Sequence, residues 1–148
     1  MNHRIAILSD IHGDTTALKA VIADARALGA TEYWLLGDIL LPGPGREDLF
    51  ELLDAIPITA AVRGNWDDCV LEALDGEYGL EDPQEIQLLR LTQYLMEGLD
   101  PKRIDWLRSL PLVEKKEVNG IRFSLTHNLP EKNYGGDLRP ANATENFD

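Results

Sequence analysis

The chain has 148 residues, of which 44% are apolar, and it carries a formal net charge of −12 at pH 7. Length and composition indicate one globular domain spanning residues 1–148, and no apolar stretch is long enough to cross a bilayer. So acidic a surface repels polyanions, which argues against broad binding to nucleic acids or to anionic membranes. A lone cysteine excludes an intrachain disulfide. Because no signal-peptide pattern is present either, we expect a cytoplasmic protein.

The first part of the chain alternates between strand and helix patterns. Its first apolar run, Arg4 to Ser9, is nearly continuous, which is typical of a strand buried on both faces. Apolar residues at helical spacing from Thr15 to Leu28 predict the first helix. Two further strands, at residues 32–36 and 58–62, flank a short helix at residues 47–54. This alternation predicts an α/β fold with right-handed crossovers and a mainly parallel sheet.

The second part of the chain predicts two helices followed by a hairpin. Residues 83–98 and 101–109 have helical patterns, each with a proline near its start. Residues 112–118 and 121–127 have strand patterns and are joined by Asn119-Gly120, the strongest short hairpin signal.

Polar side chains follow each strand of the predicted parallel sheet. Asp10 and His12 follow the first strand, Asp38 follows the second and Asn65 the third, and His127 ends the hairpin. Because the carboxyl ends of such strands meet at one edge, we expect these side chains to converge. Asp10 and His12 are two apart, and in an extended chain they point the same way. Carboxylate, imidazole and amide oxygen together suit manganese, with iron, zinc or nickel as alternatives.

Each of these motifs has a plainer interpretation when taken alone. An aspartate after a strand is more often a cap or turn residue, Gly-Asp and Gly-Asn are common turns, and a single histidine is usually structural. The metal site is therefore predicted from the order of the motifs and their matching strand-end positions. A flavodoxin-like phosphate binder would need a glycine-rich loop after the first strand, where this chain has the carboxylates of Asp10 and Asp14.

The motifs resemble those of the calcineurin-like metallophosphoesterase superfamily, in particular its compact prokaryotic phosphodiesterase branch. The resemblance runs from about Arg4 to His127 and is carried by Asp10-Ile11-His12-Gly13, Gly37-Asp38 followed by Gly43-Pro44, Gly64-Asn65-Trp66-Asp67, and Thr126-His127. It implies an α/β/β/α sandwich that hydrolyses a phosphomonoester or phosphodiester of a small phosphorylated substrate, using a hydroxide held between two divalent metal ions.

The resemblance also implies individual roles. Asp10 and His12 would bind the first metal, Asp38 would bridge, and Asn65 and His127 would bind the second metal and serve catalysis. Asn65 would also touch the substrate phosphate. The carboxylate of Asp38 has two oxygens, so it could bridge the two cations.

Two departures from the family pattern modify this prediction. Trp66 stands where many members have a histidine that protonates the leaving group, so leaving groups of low pKa are favoured. The family's closing Gly-His-x-His motif is absent, and no element is predicted from Asn128 to Asp148. We therefore expect a C-terminally truncated chain with an incomplete second sheet, each metal shell one ligand short, and self-association through an exposed sheet edge. The alternative function is a non-catalytic domain with weak metal binding.

Overall fold

The computed structural model describes residues 4–131 and residue 133. Its elements, in chain order, are β1 (Ile5–Leu8), α1 (Thr15–Ala27), β2 (Glu32–Leu36), α2 (Glu47–Asp54), β3 (Ile58–Val62), α3 (Asn65–Asp75), α4 (Pro83–Met96), α5 (Pro101–Ser109), β4 (Val113–Val118) and β5 (Ile121–Thr126).

The first three strands form a parallel sheet in the order β1-β2-β3, so β2 lies in the centre. Ile5 pairs with Glu32 at one end of β1 and Leu8 pairs with Leu35 at the other. Parallel pairing brings the carboxyl ends of all three strands to the same edge, where the polar residues that follow them meet. Strands β4 and β5 form a separate antiparallel hairpin, with Val118 opposite Ile121 across the turn.

Side chains alternate between the two faces of the parallel sheet because successive residues of a strand point in opposite directions. On one face, Tyr33 and Leu35 pack into the main core beneath the helices. On the other face, Trp34 and Val62 pack against the hairpin, where they meet Leu125. The sheet therefore lies between a helical layer and the hairpin, which holds the end of β5 close to the carboxyl edge of the sheet.

The predicted fold class is confirmed: this is a mixed α/β structure with a parallel sheet and a small second sheet. Helix α3 was not predicted as an element, because Gly64-Asn65 taken alone is typical of a tight turn. The expectation that β1 is buried on both faces was wrong, since Ile7 is 54% exposed. Residue 132 and residues 134–148, which include most of the predicted unstructured tail, lie outside the described residues. Within the described part of the chain, no helix is long and apolar enough to span a membrane.

Candidate metal centre

The structure brings together all five side chains that were predicted as ligands. One ligand atom each from Asp10, His12 and Asp38 lies within 4.8 Å of the others. His127, at the end of β5, joins this group through its Nε2 atom, which lies 3.4 Å from Oδ2 of Asp38. Asn65, the first residue of α3, completes the cluster with its Oδ1 atom 3.0 Å from the same Nε2. Four separate segments of the chain therefore contribute side chains to one cluster.

Asp38 occupies the middle of the cluster and is almost fully buried. Its Oδ2 atom lies 3.6 Å from Nε2 of His12 and 3.4 Å from Nε2 of His127. Its Oδ1 atom accepts a hydrogen bond of 2.8 Å from the backbone N–H of Trp66. We expected both oxygens to be available for bridging, but the structure leaves Oδ2 as the oxygen that faces both imidazoles.

Both histidines are oriented by the main chain. Nδ1 of His12 lies 2.7 Å from the carbonyl oxygen of Leu41, and Nδ1 of His127 lies 2.6 Å from that of Leu36. Because a carbonyl oxygen can only accept, each Nδ1 carries the proton and donates it. A neutral imidazole in this tautomer turns an unprotonated Nε2 toward the cluster, which is the arrangement usual for a metal-ligating histidine.

The electrostatics of the cluster favour positive charge. The pKa of His127 is raised to about 9, chiefly by its interaction with the Asp38 carboxylate, with smaller contributions from the Leu36 carbonyl and from Asp10, while partial burial opposes the rise. Without metal, a proton on Nε2 is therefore stabilised between Asp38 and Asn65. A divalent cation would replace that proton and satisfy the same carboxylate, so the residues present fit a metal ion.

Three of the candidate ligands have an unusual backbone conformation. Asp10, His12 and Asp38 have φ angles of 55°, 50° and 53°, in the left-handed region that residues other than glycine seldom adopt. The argument that Asp10 and His12 point the same way because the chain is extended was therefore wrong; the loop turns sharply at both residues. Strained conformations of this kind cost about 1–3 kcal/mol each and concentrate at functional sites.

Two positions beside the cluster, Gly37 and Gly64, have no room for a side chain. A methyl group on Gly64 would lie 2.2 Å from Oδ1 of Asp38, and one on Gly37 would lie 2.4 Å from the nitrogen of Gly64. Gly37 also has a φ of 84°. The two glycines allow the main chains that follow β2 and β3 to approach until α3 starts directly against the Asp38 carboxylate.

Asp67 connects the start of α3 with the loop that follows β2. From the sequence, a solvated helix start was at least as good an interpretation of this residue as a role in orienting a neighbouring group. Its side chain is fully buried. Oδ1 accepts from the backbone N–H groups of Ile39 and Leu40, at 2.9 and 3.3 Å, and Oδ2 accepts from that of Gly64 at 2.9 Å. Burial raises the pKa of Asp67 to about 6, although these hydrogen bonds act in the opposite direction. Its place three residues after the N-cap glycine, typical of a capping box, was the available signal.

The sequence comparisons assign the chain to a class of protein. The sequence profile of the calcineurin-like phosphoesterase family matches residues 3–147, and the chain belongs to this family. An uncharacterised protein of Methanocaldococcus jannaschii, MJ0912, is 30% identical over 131 residues, which cover 86% of this chain and 50% of that protein.

Solved structures agree with this assignment. A metallophosphoesterase from Sphaerobacter thermophilus is 32% identical with a TM-score of 0.56, over 77% of this chain and 44% of that chain. The hypothetical protein PH1004 from Pyrococcus horikoshii OT3 has the same fold, with a TM-score of 0.74 at 22% identity, over 97% of this chain and 62% of its own. The chain thus spans about half the length of the relatives it matches. Asp10, His12 and Asp38 form a candidate metal-binding group, and the individual ligand roles stay predictions.

Proposed function

We propose that this protein hydrolyses a phosphate ester of a small substrate with the help of two divalent cations, of which Mn²⁺ fits the donor set best. The observation that carries the proposal is the position of Asp38 Oδ2, which lies 3.6 Å from Nε2 of His12 and 3.4 Å from Nε2 of His127. A buried carboxylate this close to two imidazoles would suit the role of a ligand that two cations share. Family membership supports the same chemistry.

The distances within the cluster support the ligand sets that the family resemblance implies. Asp10, His12 and Asp38 would hold one cation, and Asp38, Asn65 and His127 would hold the other. The bound cations would lower the pKa of water to near neutrality and offset the negative charge of the phosphate. Asp38 is held for this task by the Trp66 N–H, and each histidine by its backbone carbonyl. The amide nitrogen of Asn65 would donate to a phosphate oxygen.

Protonation of the leaving group limits the substrates we propose. The chain has three histidines; His3 lies outside the described residues, and the other two are proposed ligands. Trp66 follows Asn65 and carries no group that transfers a proton near neutral pH. We therefore propose substrates with leaving groups of low pKa, which depart without a proton.

Hydrolysis of bis-p-nitrophenyl phosphate with added Mn²⁺ tests the proposal. We expect turnover by the wild type and its loss in Asp38→Asn, which keeps the size of the side chain but removes the bridging charge. Asp14→Asn is a matched control, because Asp14 caps α1 through Ala17 and lies outside the ligand group, and asparagine caps nearly as well.

The outcomes separate the two candidate functions. Turnover that is equal in the wild type and in Asp38→Asn would refute the proposed site. Tight Mn²⁺ binding without turnover of any activated ester would instead support the alternative, a non-catalytic metal-binding domain.

A further inference from the structure

Trp66 is the largest side chain that borders the candidate metal centre without being a proposed ligand. Its backbone N–H is bound to Asp38, and its indole ring meets the imidazole of His12 edge to face, with ring centroids 5.8 Å apart and an interplanar angle of 86°. The residue is half-buried: it packs against the main core and is partly accessible. The indole therefore borders the group of residues that would hold the metal ions.

The positively charged side chain of Arg63, close to Trp66 in the chain, is already engaged by other residues of the protein. Arg63, which precedes Gly64, pairs through Nε with Asp68. One terminal nitrogen of the same guanidinium donates to the carbonyl oxygens of Arg108 and Leu110, both at 3.2 Å. Arg63 is thus committed to the structure around α3. Trp66, by contrast, contributes a partly accessible residue whose indole is in contact with the candidate ligand His12.

The indole is in contact with the folded protein before any ligand arrives, because it packs against the main core and against His12. The main chain beside it is also fixed, since the next residue, Asp67, accepts from the backbone N–H groups of Ile39 and Leu40 in the loop after β2 and from that of Gly64 before the helix. A side chain ordered in advance loses little conformational entropy on binding, so more of the contact energy appears as affinity.

We propose that Trp66 selects substrates in which a flat aromatic ring lies next to the phosphate, as in aryl phosphates, by packing against that ring. The inference rests on the proposed function and adds a substrate class to it. Aryl leaving groups have lower pKa values than alkyl ones, so the same substrates do not require a proton from the residue at position 66. Stacking of a ring on an aromatic side chain strengthens binding by roughly 5- to 100-fold.

Binding of two phosphonates to the Mn²⁺-loaded protein, measured by calorimetry, tests the inference without requiring turnover. Phenylphosphonate and methylphosphonate carry the same charged group, and neither can be hydrolysed at its carbon–phosphorus bond by this chemistry. We expect the wild type to bind phenylphosphonate roughly tenfold more tightly. Trp66→Ala should lose that preference while binding methylphosphonate as the wild type does, and Trp66→Phe should retain most of it.

Methylphosphonate is the internal control for the integrity of the metal site in each variant. If the wild type binds both phosphonates equally, or if Trp66→Ala keeps the preference for the phenyl ligand, the inference is overturned and the proposed function stands. If neither phosphonate binds the Mn²⁺-loaded wild type, the proposed function fails and the inference fails with it.

Discussion

The backbone N–H of Trp66 donates to Oδ1 of Asp38 over 2.8 Å, so the start of α3 fixes the carboxylate that faces both imidazoles. An asparagine at position 38 can still accept this hydrogen bond, but its amide group would replace the oxygen that faces the histidines. We therefore expect Asp38→Asn to fold and to lose metal binding.

Thermal unfolding with and without Mn²⁺ measures this loss. A cation that binds only the folded state stabilises it by about 2.7 kcal/mol at a concentration of 100 Kd. The Tm of the wild type should therefore rise with Mn²⁺, and that of Asp38→Asn should not. An equal rise in both proteins would show that Asp38 is not a ligand.

The raised pKa of His127 predicts how metal affinity depends on pH. In the metal-free protein this imidazole, with a pKa of about 9, is protonated at neutral pH, and a cation must displace the proton. Apparent Mn²⁺ affinity should thus rise by up to about tenfold per pH unit below pH 9. Calorimetry at pH 7 in buffers of different ionisation enthalpy should detect the release of about one proton. Affinity that is constant between pH 6 and 8 would contradict this.

The same shift has the opposite consequence for the metal-free protein. Because the folded-state pKa of about 9 lies above the reference value of 6.5, His127 contributes stability that is fully present below pH 6.5. That contribution is lost as the pH rises through about 9. Metal binding and the stability of the empty site should therefore have opposite pH trends in this window.

Replacement of the Asp67 carboxylate should lower stability, although the three partners it binds are uncharged backbone N–H groups. In Asp67→Asn, the NH2 group of the side chain would point either at the backbone N–H groups of Ile39 and Leu40 or at that of Gly64. Two donors would then face each other where the carboxylate now accepts a hydrogen bond. We expect a loss of about 2–3 kcal/mol in the free energy of unfolding, measured with urea. Asp75→Asn, which breaks only an exposed pair with Arg108, should have a much smaller effect. Similar losses in the two variants would refute the structural role of Asp67.

Substitutions at two glycines distinguish a steric clash from backbone strain. Gly64→Ala places a methyl group 2.2 Å from Asp38 Oδ1 at a φ of −96°, whereas Gly76→Ala meets no atom within 4 Å but has a φ of 79°. We expect Gly64→Ala to weaken Mn²⁺ binding roughly 10- to 100-fold. Gly76→Ala should cost about 1 kcal/mol of stability and leave Mn²⁺ affinity unchanged. Unchanged affinity in Gly64→Ala would contradict the close packing of the site.

Much of this site could be predicted because the rules that place it are simple. Strands that alternate with helices pair in parallel, and the residues after parallel strands meet at one edge, so Asp10, Asp38 and Asn65 could be grouped from sequence. The hairpin signal Asn119-Gly120 similarly placed His127 at a strand end.

Other features depend on tertiary contacts that local patterns do not contain. The pattern after Gly64 allows a turn as well as a helix, and only the Asp38 carboxylate against the Trp66 N–H shows that α3 begins there. The burial of Asp67 was not predicted despite its capping-box position, because a second acid beside it, Asp68, makes an exposed helix start equally reasonable. Nor does residue type alone reveal left-handed conformations at Asp10 and His12.

Self-association through an exposed sheet edge stays a prediction, and β1, one of the two edge strands of the parallel sheet, offers a place to test it. Strand β1 ends the parallel sheet, and Ile7 on it is 54% exposed. We expect sedimentation at high concentration to show dimers that strengthen as salt screens the net charge of −12. Ile7→Lys should weaken them, whereas Leu80→Lys, at a residue 79% exposed in the loop between α3 and α4, should not. A strict monomer at all salt concentrations would refute the prediction.

The left-handed backbone at Asp10, His12 and Asp38 bears on how such a protein loses its activity over evolution. At Asp10, whose side chain is 57% exposed, glycine would relieve the strain without leaving a buried partner unpaired. Replacement there should increase stability wherever metal is not needed. Relatives that do not bind metal should therefore carry glycine more often at this position.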